Sequence, residues 1–258
     1  MSHVIDPAAR PVIGTSWKMN LVPSQAQVYL RKLRDLERAH SWRGRTIFVL
    51  PPYVSIGVAR DELRGSSILY GAQNVHHDDD GAFTGEISAP MLADLGCLIV
   101  EVGHSERRRD HGETDALIGA KVAAILRSRM WPLVCVGESA ERRATAAGVV
   151  LGQLARVFER VSDDDALSLL VAYEPLWAIG AGATAAPLEH IARLHGVIRA
   201  WLAARWIGGR DIPVLYGGSV DPSNAAAVLA TDGVDGLFVG RAALDVKAFA
   251  AICRAGLP

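Results

Sequence analysis

A lysine, a histidine, several carboxylates and three glycine turns stand where short apolar runs of this 258-residue chain stop. Lys18 follows PVIGTS and Trp17. His104, Ser105 and Glu106 follow CLIVEV and a glycine. Glu138 follows PLVCV and a glycine, and Glu174 follows LSLLVAY directly. The turns are Gly180-Ala181-Gly182, Gly217-Gly218-Ser219 and Gly240-Arg241. An ammonium, an imidazole and a carboxylate are what proton transfer beside a developing negative charge requires. Glycines let backbone N–H groups approach oxygen closely, which suits a phosphate. Each residue taken alone has a plainer use. A strand-end glutamate is more often in a salt bridge, and a lone histidine is more often a surface or core residue. The arginine run 107–109 is expected to be a solvated helix face.

These residues need a frame that brings them together. Eight apolar runs are expected as strands: 11–16, 46–50, 67–72, 97–102, 132–136, 167–173, 213–216 and 236–239. None alternates apolar with polar residues, which marks strands buried on both faces, hence a parallel sheet. Between them lie helical stretches such as Ser24–His40, Thr114–Arg129, Pro187–Trp206 and Pro222–Ala230, with Pro187 and Pro222 suited to first-turn positions. Alternating strand and helix allows a doubly wound sheet or a closed barrel. Eight units with no break in composition favour one α/β domain over residues 1–258, a (β/α)8 barrel with residues 1–10 as an N-terminal extension. In that fold chemistry collects at the C-terminal ends of the strands.

Bulk composition narrows the partners. With 27 Lys and Arg against 28 Asp and Glu, the net charge of −1 points away from nucleic acid and membrane surfaces. Cys97, Cys135 and Cys253 are odd in number and widely spaced, as expected of reduced thiols in a cytoplasmic protein. No apolar run reaches a membrane-spanning length, and MSHVIDPAAR lacks the apolar core of a signal peptide.

In their order and spacing, WKMN, GAQN, GAFTGE, VGHSERR, CVGES, AYEPLWAIG and YGGSV resemble the triosephosphate isomerase family, from about Val12 to Ala250. The resemblance implies a TIM barrel that isomerises a small phosphorylated sugar through an enediolate, without cofactor or metal. It makes Glu174 the base and His104 the electrophile. Triosephosphate isomerase is itself the type example of an imidazole kept neutral by a helix N-terminus. Glu106 is implied to pair with Lys18 or shuttle a proton, the alternative being an ion pair within Arg107–Arg109. Lys18 is implied to stabilise both phosphate and enediolate. Gly180, Gly182, Ser219, Gly240 and Arg241 fall at the phosphate cradle. Residues 175–185 resemble the family's mobile lid, and the 74–86 loop is implied to enter a partner subunit in a homodimer.

Two patterns are decoys. GAGATA fits a dinucleotide fingerprint loosely, but the acid expected about 20 residues later is absent and Glu-Pro-Leu-Trp separates it from the strand. HHDDDG (76–81) fails as a calcium loop because Ile87 stands where a glutamate is needed, so it is expected to be a solvated loop tip.

Three positions depart from the family pattern: Ser16 where Asn is usual, Arg241 in place of a second glycine, and Ala183 in place of Lys. The change at residue 16 removes an amide donor and about two non-hydrogen atoms. A ketose phosphate one carbon longer has a hydroxymethyl of about that size to place there. The Arg241 fork could reach phosphate or a new hydroxyl, or point outward and offer only its backbone N–H. GTSWKMN with the GR turn resembles a branch that interconverts L-erythrulose 1-phosphate and D-erythrulose 4-phosphate in erythritol breakdown. The readings carried forward are that tetrulose isomerase, an ordinary triosephosphate isomerase of glycolysis, and a non-catalytic phosphate-binding barrel.

Overall fold

The computed structural model describes residues 9–40, 42–180 and 184–257. Eight strands pair in parallel and in sequence order: β1 (Val12–Ser16), β2 (Thr46–Leu50), β3 (Leu69–Ala72), β4 (Ile99–Val102), β5 (Trp131–Val136), β6 (Leu170–Tyr173), β7 (Val214–Tyr216) and β8 (Gly236–Val239). The pairing of Val12 with Gly236 and Thr15 with Val239 closes β1 on β8 and completes the barrel. Among the described residues ten α-helices run between and after them: α1 (Pro23–His40), α2 (Ile56–Glu62), α3 (Ala89–Asp94), α4 (Ser105–Asp110), α5 (Asp115–Arg127), α6 (Ala146–Val157), α7 (Asp163–Ala166), α8 (Leu188–Arg205), α9 (Ala225–Leu229) and α10 (Val246–Arg254). Among the described residues no helix is long and apolar enough to cross a membrane.

Burial on both faces explains the apolar strands. Outward residues such as Ile13, Val49, Val100 and Val134 join the helices in one large core. Inward residues, including Val12, Phe48, Leu133, Leu170, Leu215 and Phe238, fill the barrel lumen. Phe48 and Phe238 stack at 6.0 Å between ring centroids. Their room depends on Gly14, where an added Cβ would fall within the Phe48 ring. All three cysteines are free and buried.

Several element ends differ from expectation for local reasons. β3, β4 and β6 start later than their apolar runs because the leading residues close turns. Ile68 donates to Ser66 Oγ at 3.3 Å, Cys97 to the Leu92 carbonyl at 3.0 Å, and Leu169 to the Ala166 carbonyl at 3.2 Å. Pro11 and Pro213 have no N–H for the ladder, and β1 and β7 begin after them. α9 is shorter than 222–230 because the Asp221 carboxylate accepts from the backbone N–H groups of Ser223 and Asn224, holding a turn there. Pro187 precedes α8 as its N-cap residue and is not inside its first turn. Thr114 caps α5 through its hydroxyl, which accepts from Leu117 N–H at 3.2 Å.

Candidate active site

The strand ends of the C-terminal face surround a cavity of about 910 Å³. Ser16, Lys18, His104, Glu106, Glu174, Gly180, Ser219, Gly240 and Arg241 all line it. Gly182 lies outside the described residues.

Lys18 is aimed by the residues around it. Trp17 is fully buried and packs edge-on against Tyr29 at 4.9 Å, while Met19 is 97% exposed. The backbone between these opposed neighbours takes φ 52° at Lys18, a left-handed conformation costly for a side chain with a Cβ. Gln73 Nε2 donates to the Lys18 carbonyl at 3.1 Å and Asn20 Nδ2 to the Trp17 carbonyl at 2.7 Å, which holds the turn. The ammonium then meets Glu106 Oε1 at 2.7 Å. Burial acts to raise the Glu106 pKa, but the hydrogen bond and charge of Lys18 outweigh it and hold the carboxyl below its usual range.

Glu106 therefore pairs with Lys18 and not with its neighbouring arginines. Nor are those arginines uniformly a solvated face. Arg107 binds the buried Glu113 at 2.5 Å, and Arg108 binds Asp115 at 2.5 Å and the Gly103 carbonyl at 2.7 Å. Arg109 alone of the three is well exposed, pairing with Asp110, and it lines the cavity.

His104 is the N-cap of α4, and its Nδ1 accepts the Glu106 backbone N–H at 3.2 Å. That bond leaves Nε2 to carry the proton of the neutral ring. Burial first, then the charge of Lys18, push the His104 pKa down to about 4, so the ring is a neutral donor near pH 7. Its Nε2 lies 3.6 Å from Glu174 Oε1.

Glu174 is buried, and burial followed by repulsion from Glu101 pushes its pKa up to about 8. Gly137 and Gly217 give it room, since a Cβ on the first would overlap the Glu174 carbonyl oxygen and on the second would stand 2.9 Å from Glu174 Cγ.

The described parts of residues 175–185 are tethered. Trp177 Nε1 donates to Glu138 Oε1 at 2.8 Å, and just past the stretch Ala186 N–H donates to the Tyr216 hydroxyl at 3.3 Å. Ser219 lines the cavity while both its N–H (3.0 Å) and its Oγ (2.8 Å) donate to the carbonyl of Ala178. Arg241 is exposed at the cavity rim.

Glu101 is not among the residues to which the strand ends point. Among the described residues it is the charged residue within a strand, and its side chain is 1% exposed, with Cys135 Sγ 3.8 Å from its Oε1. The glutamate inside CLIVEV was its visible signal. Glu101, His104 and Glu174 offer ligand atoms within 4.8 Å of one another, so a cation there would occupy the proposed catalytic groups themselves. His76, His77 and Asp78 offer a second such set. These three are half-buried, with the His76 ring tilted against Phe83 at 4.3 Å between centroids, so only the later part of the 76–81 stretch is solvated as expected.

A closed βα barrel with a raised-pKa carboxylate, a neutral imidazole and an ammonium around one cavity defines an enzyme fitted to proton transfer on a small anion. Comparison with known proteins gives the particular family. The triosephosphate isomerase family profile matches residues 11–256. A triosephosphate isomerase of Synechococcus sp. (strain JA-3-3Ab) is 43% identical over 249 residues, covering 94% of each chain. An L-erythrulose-1-phosphate isomerase of Mycolicibacterium smegmatis is 40% identical over 248 residues, covering 95% of this chain and 92% of its own. The crystal structure of triosephosphate isomerase from Bartonella henselae superposes with a TM-score of 0.85 at 36% identity, covering 95% of this chain and 98% of its own. The chain belongs to the triosephosphate isomerase family and is an isomerase of that type.

Proposed function

We propose that the enzyme interconverts L-erythrulose 1-phosphate and D-erythrulose 4-phosphate. Glu174 takes the C3 proton of L-erythrulose 1-phosphate. His104 Nε2–H and the Lys18 ammonium hold the two oxygens of the resulting C2–C3 enediolate. The proton returns at C2, which leaves the ketone at C3. Gly180, Gly240 and Arg241 form the phosphate side, with Ser219 anchoring the lid above it.

The observation that carries the four-carbon substrate is Ser16, a small side chain lining the cavity beside Lys18. It leaves space for a hydroxymethyl beyond the enediolate. The curated relative named L-erythrulose-1-phosphate isomerase supports this reading. Relatives named triosephosphate isomerase favour a second reading, interconversion of dihydroxyacetone phosphate and glyceraldehyde 3-phosphate.

We also propose a cytoplasmic homodimer joined through the 74–86 loop. The loop's exposed stretch, including Phe83 at 43%, supports that reading. So does its anchored base, where Asn74 Oδ1 accepts from the buried Lys121 at 2.8 Å.

Steady-state kinetics on both ketoses test the substrate. A higher kcat/KM on L-erythrulose 1-phosphate is expected, and a higher value on dihydroxyacetone phosphate would overturn it. Light scattering in solution tests the dimer.

A further inference from the structure

The Glu138 side chain is fully buried, and among the described residues no lysine or arginine pairs with it. A charge so placed is costly unless donors satisfy it. The donors here are neutral: Trp177 Nε1 at 2.8 Å, and the Tyr173 hydroxyl at 3.1 Å from both carboxylate oxygens. The Glu138 carbonyl also accepts from Leu176 N–H at 3.0 Å. These contacts bracket Glu174, since Tyr173 precedes it and Leu176 and Trp177 follow it closely.

The Tyr173 hydroxyl has one hydrogen, so its bond to Glu138 depends on which way that hydrogen points. His190 sets the direction. Its Nε2 lies 2.9 Å from the Tyr173 oxygen, and its Nδ1 lies 3.3 Å from an Arg193 guanidinium nitrogen. A guanidinium can only donate, so Nδ1 accepts and Nε2 carries the proton of a neutral ring. Two features keep the ring neutral. His190 is the third residue of α8, where the helix dipole disfavours a cation. Burial, joined by the Arg193 and Arg143 charges, outweighs Glu138 and lowers its pKa. Nε2–H then donates to the Tyr173 oxygen, and the Tyr173 hydrogen is left to Glu138. With the opposite tautomer Tyr173 would donate to His190, and Trp177 would be the side-chain donor left to Glu138. The His190 ring also meets Trp177 edge-on at 5.1 Å, while Arg143 lies 3.9 Å over the Trp177 ring.

We propose that His190 is a positioning residue for the base: through the Tyr173 hydroxyl it fixes Glu138, and Glu138 fixes the chain on both sides of Glu174. His190 does not line the cavity, so it acts on the place of the base and not on the substrate. This inference rests on the reading of Glu174 as the base.

The test is kcat and KM on L-erythrulose 1-phosphate and on dihydroxyacetone phosphate for wild type, His190→Leu, His190→Gln, Tyr173→Phe and the Tyr173→Phe/His190→Leu double variant. His190→Leu should lower kcat about tenfold, the scale of a base displaced by less than 1 Å, with KM changed little. The factor should be the same on both ketoses, because the base is common to them. His190→Gln places an amide N–H where Nε2–H stood and should keep kcat within about threefold of wild type. Tyr173→Phe should lose at least as much as His190→Leu, and the double variant no more than Tyr173→Phe, because His190 acts through that hydroxyl. Wild-type kcat in His190→Leu, an equal loss in His190→Gln, or additive losses in the double variant would overturn the proposal. Should His190→Leu fail to fold, a Tyr173→Phe variant with wild-type kcat overturns it on its own. Wild-type turnover in Glu174→Gln overturns the base reading and this proposal together. Turnover lost in Glu174→Gln but unchanged in His190→Leu overturns this proposal alone.

Discussion

His104 Nε2 stands 3.6 Å from Glu174 Oε1, with its other nitrogen occupied by the Glu106 backbone N–H. The donor and the base thus face the same point at the cavity floor. Replacing Glu174 by Gln keeps shape and removes the basic electrons. We expect kcat to fall by about 10²–10⁴, the usual contribution of general-base catalysis, with KM changed little. Exchange of the substrate C–H proton into deuterated water should fall in step. Exchange at the wild-type rate would remove Glu174 from the mechanism.

Lys18 and Glu106 are each partly exposed, with 32% and 42% of their side chains accessible. Such a pair contributes little to folding, on the order of 0–1 kcal/mol. Its charge matters more to a bound anion. Lys18→Met is expected to lower kcat by about 10²–10³ and to weaken competitive inhibition by inorganic phosphate. Its melting temperature should stay close to wild type. A large drop in melting temperature with unchanged kcat would make Lys18 structural.

Glu101 and Glu174 both hold their protons more tightly in the folded chain, with pKa values pushed by burial to about 7 and about 8 from 4.5. Above the ordinary value the unfolded chain has already lost these protons, so it binds fewer than the folded chain, and stability falls as pH rises through that window. Glu101→Gln removes one of the two groups. It should therefore gain more stability over wild type at about pH 8.5 than at about pH 5, with an upper limit on the order of 3 kcal/mol. Denaturant titrations at the two pH values measure this. The Glu174 base must be ionised to act, so the acid limb of kcat/KM should lie above the usual carboxylate range. With the Glu101 charge gone, that limb should move to lower pH.

His104 works in the opposite sense. Its folded value of about 4 lies below the ordinary 6.5, so the folded chain binds fewer protons than the unfolded one between them. Stability conferred by this site is lost as pH falls through that window. His104→Gln should flatten this part of the stability curve while lowering kcat. An unchanged slope between about pH 4 and 6.5 would mean that the imidazole is not held neutral.

The strand ends were legible because strands buried on both faces must be apolar throughout, so the first polar residue after each run marks the barrel mouth. Lys18, His104 and Glu174 could be picked out on that basis. Glu101 could not, although its letter was visible. Its meaning depends on which face of β4 it takes, and on Cys135 of the next strand, whose Sγ lies 3.8 Å from its Oε1. The separate fates of Arg107, Arg108 and Arg109 were hidden for a similar reason, because Glu113 and Asp115 turn two of them inward. Helix ends such as that before α9 followed side-chain turns that a proline signal does not encode.

Gly137 tests how far the base depends on backbone fit. It follows β5, and β5 pairs with β6 in a register that places Val136 beside Tyr173. Glu174 N–H donates to the Val136 carbonyl at 2.7 Å, so the two chains run in close contact at the level of the base. A Cβ at residue 137 would overlap the Glu174 carbonyl oxygen, and backbone has little freedom to move away. Gly137→Ala should cost about 1–3 kcal/mol from overpacking. Because the displaced atoms belong to the base's own residue, kcat should also fall, by about tenfold or more for a shift of a few tenths of an ångström to 1 Å. Gly148→Ala makes the control, since nothing lies within 4 Å of its added Cβ. If Gly137→Ala loses stability but keeps wild-type kcat, then Glu174 is positioned by the groups around its carboxylate, His104 among them, and not by the β5–β6 backbone.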